Sequence, residues 1–517
     1  MKITKLILIA MLFSQGLQAD TLHRGLGPEP DSLDIHQAQG LPAVQILREI
    51  REGLTTFDAA GNVIAGVAAS WRILDDGTTY RFELRDNARW SNGDRVTSED
   101  FVRAWRRALS PASQARTASL LSAVVNVPQA IAGKAAPETI GISALSANVV
   151  EIKLSMTVPW FLEILAHPVS FPLHADAIEE PLKAPVNGAF TLDSRILNAM
   201  IRLKKNPYFH DAANVSLEAV EYLPIEDPNS ELSRYRAGEL HMTETIPAGR
   251  HDWLQTYMGS ELKVSPYIGS YWLGLNLGRE PFADNRKLRQ ALSLAVDRVI
   301  ISRLVVGAGE LPAWSIVPPG ISGYTPRAHD DSELGEKERH RQAKKLYTEA
   351  GYGDNRPLLI ELRYNTSSQH RKIALAVSSM WRQVLGVQSQ LVNEEWKVFV
   401  NNRRQGVVTQ VFRGGWIADY ADPTSFLDLF RSDNDLNTTF YKNERFDQMM
   451  DQAKRLEGAE RMQRLQSAEA QLMEDMPVIP LYFYVSRHLL KPGVSGFQSN
   501  ARDIHLSRYM GIKGSNP

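Results

Sequence analysis

Arg413-Gly-Gly-Trp-Ile-Ala-Asp-Tyr-Ala-Asp-Pro-Thr-Ser-Phe426 follows an apolar run of Val407, Val408, Val411 and Phe412. That run predicts a strand that breaks at Gly414-Gly415, where backbone can approach a ligand closely. Arg413, Trp416, Asp419, Tyr420 and Asp422 then fall within one short span. Asp422 precedes Pro423, the pattern of a helix N-cap with proline at the first helical position. Asp419 has no such local role. It is either an ordinary solvated loop carboxylate or, between Trp416 and Tyr420, the counter-ion of a cationic group in a site dried by aromatic walls.

The chain ends bound the answer. Met1-Lys-Ile-Thr-Lys5, the apolar run Leu6 to Phe13 and the small residue Ala19 form a secretory signal pattern. The run is too short to span a bilayer. No Cys follows it, so an exported, soluble product without a lipid anchor is expected. Removing 19 of 517 residues leaves 498, enough for roughly three domains. With 58 basic and 59 acidic residues the net charge is −1, which gives no sign of a nucleic-acid partner. The absence of cysteine excludes thiol catalysis and cysteine metal sites and leaves the fold to its apolar core.

Outward from the opening stretch, the pattern is α/β. Tyr80, Phe82 and Leu84 alternate with Arg81, Glu83 and Arg85 after an Asp-Gly turn, predicting a half-buried strand. Thr97 or Ser98 then caps a helix with Phe101, Val102, Trp105, Ala108 and Leu109 on one face. A helix is expected from Ile46 to Leu54, ending at Gly53, and another from about Asn285, closed by Asp297-Arg298. Residues 357–392 read as a strand, a crossover helix and a strand, hence parallel pairing with a right-handed connection. Ligands on such sheets sit at the carboxyl ends of strands, which is where His370 falls. Tyr267 to Leu275 and Pro480 to Val485 are apolar strands.

Gly415-Trp416-Ile-Ala-Asp419-Tyr420-Ala-Asp-Pro423-Thr424-Ser425-Phe426 resembles the ligand-binding segment of periplasmic oligopeptide-binding proteins, the solute-binding subunits of peptide ABC importers. Glu29-Pro-Asp-Ser-Leu-Asp34 and the stretch Ala68 to Leu109 are similar to the same family. The resemblance implies a periplasmic-binding-protein type II-like fold, with two lobes built from three domains and the ligand in the cleft. After the signal peptide (1–19), domain I would combine 20–45, 170–265 and 487–517, domain II would be 46–169, and domain III 266–486. The implied protein is a periplasmic monomer without cofactor or metal, partnered by short peptides and, indirectly, by a membrane permease and its ATPase subunits.

The resemblance also implies the site. Asp419 would receive the free α-amino group of a peptide, with Arg413 and His370 as candidates for its carboxylate. Trp396, Trp416 and Tyr484 would wall side-chain pockets, while Arg403, Gly415 and Gln39 complete the candidate set. Each residue also has a plain structural explanation: Trp396 and Tyr484 as packing, His370 as a helix-start group, Arg413 as an internal ion pair. This sequence departs from the family at several points. The positions of two pairing cysteines read Gly269 and Ile417, and a lysine serving the shortest ligands aligns near Val306. Two acidic pocket positions read Gln39 and Gly274. A murein-type peptide or a non-peptide solute is therefore the second reading. A secreted hydrolase is the reading of a different class. It has no Gly-x-Ser-x-Gly or His-Glu-x-x-His motif behind it, and a paired-acid role for Asp419 and Asp422 competes with the cap.

Overall fold

A computed structural model describes residues 21–512, apart from 39, 75–76, 111–112, 114, 116, 179–182, 248, 419 and 435, and omits the side chains of 396 and 397. The expected signal segment, Gln39 and Asp419 thus lie outside the described residues.

Two lobes form around separate apolar cores. The first core joins two four-stranded sheets. One has the spatial order Thr21–Gly27, Ala219–Pro224, Met200–Lys205, Phe190–Ile196, and the other Ala68–Ile73, Thr79–Leu84, Val149–Lys153, Ile142–Ser146. In Thr79–Leu84 the alternating Tyr80, Phe82 and Leu84 are buried while Glu83 is exposed, as the period of two requires. The helix Ser98–Leu109 starts with a capping box between Thr97 and Asp100 and buries Phe101, Val102, Trp105, Ala108 and Leu109. The helix expected at Ile46 to Leu54 runs instead over Leu41–Ile50, with proline in its first turn. Extended backbone at Arg51 ends it before Gly53.

The second lobe carries a six-stranded sheet in the order Leu311–Pro312, Val478–Leu489, Leu262–Leu275, Val411–Ile417, Leu359–Asn365, Gln388–Glu394. Leu359–Asn365 and Gln388–Glu394 pair in parallel around the helix Ser368–Leu385, as the strand–helix–strand pattern predicts. The expected helix end at Asp297-Arg298 is corrected. Arg286–Leu294 stops earlier, and the Asp297 side chain accepts from the Ile300 amide to start a new turn. Aspartate favours helix starts, where its charge meets free amides.

Leu262–Leu275 and Val478–Leu489 run through both lobes as an antiparallel pair whose register slips between Pro266 and Ser270. Leu262 and Leu489 pack with Leu223 and Tyr235, whereas Tyr271, Leu273, Ile479 and Leu481 lie in the second lobe. The strand Val411–Ile417 is added to this pair, with Gly269 opposite Ile417 and Trp272 opposite Gly414. It continues through Gly414-Gly415, so the expected break there is also corrected. A Cβ at Gly414 would meet the Trp272 indole. The missing side chain thus makes room for a neighbouring ring, and the ladder is kept. Val407 and Val408 precede the strand and are exposed.

Candidate functional site

Four of the expected residues meet around Tyr271. The Arg413 guanidinium lies 5.2 Å from the Tyr271 ring centre. The Tyr271 hydroxyl is 3.2 Å from His370 Nδ1, and the Tyr271 and Tyr484 rings meet edge to face. A Cβ on Gly415 would sit 3.2 Å from the Tyr484 hydroxyl, 3.3 Å from the Ser270 carbonyl oxygen and 3.4 Å from Arg413 Nη2, a tight fit. His370 is placed by Ser367, whose hydroxyl caps the helix and accepts from the His370 amide. Burial, and then Arg413, push the His370 pKa down to about 4, so its imidazole is neutral near pH 7. It can donate a hydrogen bond there, but the fixed cation is Arg413.

Arg403 and Trp416 line a second, smaller cavity with Gly415, Trp272, Phe412 and Phe430. Arg403 lies 5.9 Å from the Phe412 ring centre, and burial lowers its pKa to about 10. No carboxylate of a described residue comes within ion-pair distance of Arg413 or Arg403. The Nε of each and the Trp416 indole nitrogen are buried without a partner. Trp396 opens the helix Trp396–Gln405, but its side chain is outside the described residues. Asp422 sits one residue before the N-cap position, which is Pro423 in the helix Thr424–Leu427. It accepts from the Thr424 amide and hydroxyl at 3.0 and 2.7 Å, and it holds Arg461 through two bonds of 2.6 and 2.9 Å. That pair is buried, so Asp422 is structurally committed. At Gly274, where the resemblance implies an acidic side chain, the Phe412 ring occupies the space a Cβ would need.

A larger cavity of about 360 Å³ lies where Ile417, Ala418, Tyr420 and Ala421 face the first lobe. Sequence reasoning missed most of its other walls: Arg48, Glu163, His167, Glu244, His488 and Arg502. Glu163 accepts from Arg502 at 2.5 and 2.7 Å and from the Ala421 amide at 2.8 Å. Trp160 stacks on Tyr420 at 4.4 Å. His488, Asp503 and His505 bring possible metal-ligand atoms within 4.8 Å of one another. The donor set does not suit a cation, because His488 Nδ1 faces the Thr243 carbonyl at 2.9 Å and Nε2 faces Asp503 at 2.7 Å. Both nitrogens therefore carry protons, and against its burial the ion pair with Asp503, the field of Glu244 and the Thr243 carbonyl raise the His488 pKa to about 9.

The sequence profile of the bacterial extracellular solute-binding proteins, family 5 (middle), matches residues 62–438. The chain belongs to that family. It is 38% identical over 488 residues to the periplasmic oligopeptide-binding protein OppA of Salmonella typhimurium, covering 92% of this chain and 89% of the relative. Its fold matches the unliganded open form of the periplasmic murein tripeptide-binding protein MppA with a TM-score of 0.86, at 34% identity over 96% of this chain and 98% of that one. It matches Haemophilus influenzae OppA in complex with RPPGFSPFR with a TM-score of 0.78, at 33% identity over 96% and 99%. Among the described residues no helix is long and apolar enough to cross a membrane.

Proposed function

We propose that this family 5 protein is a periplasmic subunit of an ABC importer that captures short oligopeptides between its lobes and hands them to a membrane permease. The observation that carries this reading is Arg413. It is a half-buried guanidinium among Tyr271, Tyr484 and His370, with no carboxylate partner among the described residues. A buried charge without a partner is costly, and a peptide carboxylate would satisfy it through a charge-assisted bond. A peptide offers constant parts, namely a backbone, an ammonium and a carboxylate. Adding it as an extended strand uses the first, while roomy pockets accept varied side chains.

In this proposal Asp419 receives the ammonium, and Trp396, Trp416, Tyr484, Arg403 and Gln39 surround the side chains. The domain division given above places the cleft between domain III and the other two. Calorimetry with tri-alanine and its N-acetylated form tests the assignment of Asp419. The free peptide is expected to bind, with the acetylated form weaker by several kcal/mol, since one buried charge is left unpaired. Equal affinity for both forms would rule the amine site out. The similarity to MppA favours a second reading, a murein-type peptide. Mass spectrometry of the ligand that co-purifies with the exported protein separates the two.

A further inference from the structure

The larger cavity is lined by several ionisable side chains, and pairing accounts for most of them. Arg24 is buried and donates to Tyr222, the His505 carbonyl and Ser507, with Glu49 at 3.5 Å. Arg502 belongs to Glu163, and His488 to Asp503. His167 accepts from the Val169 amide, and burial takes its pKa down to about 3, so it is neutral. Two charges remain. Arg48, over the Phe57 ring, has the Ala166 carbonyl at 3.4 Å as its hydrogen-bond partner among the described residues. Glu244 is half-buried and receives no hydrogen bond from a described residue. Its position is built: Glu231, buried beneath Gly25, accepts from the Glu244 and Thr245 amides. Tyr267 also lines the cavity.

We propose that Glu244 is the counter-ion for a cationic side chain, a lysine or arginine, of the bound peptide. The cavity carries the inference. Glu244 lines it together with Ile417, Ala418, Tyr420 and Ala421, which belong to the candidate ligand segment. Of the two acidic pocket positions expected from the family, Gln39 is neutral and Gly274 is filled by Phe412. Glu244 is then the unpaired carboxylate of this cavity among the described residues. Arg48 also lines the cavity and makes the preference positional, because a cation placed beside it is repelled.

The proton balance follows from the surroundings. Glu231, Arg24, His488 and Asp503 face Glu244, and burial raises its pKa to about 8. Near pH 7 the empty site is therefore mostly protonated. An arriving ammonium favours the carboxylate and releases that proton to solvent.

This rests on the peptide reading, and the experiment separates the two. Tri-alanine and variants with lysine or norleucine at each position are titrated at pH 7 into the wild type, Glu244→Gln and Glu244→Asp. At one position lysine is expected to bind about tenfold to a hundredfold tighter than norleucine. Calorimetry in phosphate and Tris should show proton release for that lysine peptide and none for its norleucine partner. The ratio should fall toward one in Glu244→Gln and persist in Glu244→Asp. Tri-alanine that binds with no lysine preference at any position, or a preference untouched in Glu244→Gln, overturns this proposal alone. A wild type that binds none of the peptides overturns the peptide reading with it.

Discussion

Gly414 and Gly415 are adjacent, yet the space around them differs. The first lies under the Trp272 indole, with no room for a Cβ. The second faces the ends of two polar side chains at 3.2 and 3.4 Å, which can retreat, and the Ser270 carbonyl oxygen at 3.3 Å, which needs to give by only a few tenths of an ångström. Gly414→Ala is therefore expected to destabilise the protein by about 1–3 kcal/mol through overpacking, and Gly415→Ala by less. Thermal denaturation of both variants checks this, and equal losses would contradict it. Asp422 makes a second case. Arg461→Met leaves a buried carboxylate without its cation, for an expected loss of about 3–5 kcal/mol. Removing both charges, as Asp422→Asn with Arg461→Met, should recover part of that loss. If urea denaturation shows the double variant to be less stable than Arg461→Met, the pair is not what holds the segment.

At the scale of elements, local chemistry was readable and distant pairing was not. The alternation of Tyr80, Phe82 and Leu84, the capping box at Thr97 and the strand–helix–strand unit after 357 are encoded within a few residues each. Gly414-Gly415 misled because the ring that fills the gap, Trp272, comes from a strand far away in sequence. Arg413, His370, Gly415 and Tyr484 were legible as candidates through the family resemblance. The walls of the larger cavity were not, since Arg24, Glu163, Glu244, His488 and Asp503 come from five separate segments with no shared periodicity. The far end of Val478–Leu489 gives a pH prediction. The His488 pKa, raised from 6.5 to about 9, means a stabilisation fully present below pH 6.5 and lost as pH rises through 9. Glu231 and Glu244, raised from 4.5 to about 7 and about 8, add in the same direction over a lower window. Stability is expected to fall between pH 6 and 9, with His488 contributing on the order of 2–3 kcal/mol. Denaturant midpoints across that range should fall, and fall less in His488→Gln. A flat or rising profile would refute the assignment.

For the whole molecule, the function proposed here needs two lobes that separate and close. Among the described residues, and beside the two crossing strands, the lobes meet through a few side chains. Glu163, at the edge of the first core, holds the Ala421 amide of the second lobe and the Arg502 guanidinium of the returning C-terminal segment. The stacked Trp160 and Tyr420 lie beside it. Arg502 also donates to the Gly61 carbonyl, so the C-terminal segment stays with the first lobe when the lobes part. Among the described residues, the Ala421–Glu163 bond, the ring stack and the Arg461 guanidinium 5.7 Å from the Trp160 ring centre bridge the two lobes. A charge-assisted hydrogen bond of this kind contributes about 1.5–3 kcal/mol. Glu163→Gln keeps the shape but removes the charge, and should shift the ligand-free ensemble toward separated lobes. Because the ligand must then supply that closing energy, peptide affinity is expected to drop by about tenfold to a hundredfold. Small-angle scattering without ligand should show a larger radius of gyration for the variant, and saturating peptide should restore the wild-type value. If the variant has the wild-type radius without ligand and also loses affinity, Glu163 acts on the ligand itself and not on closure.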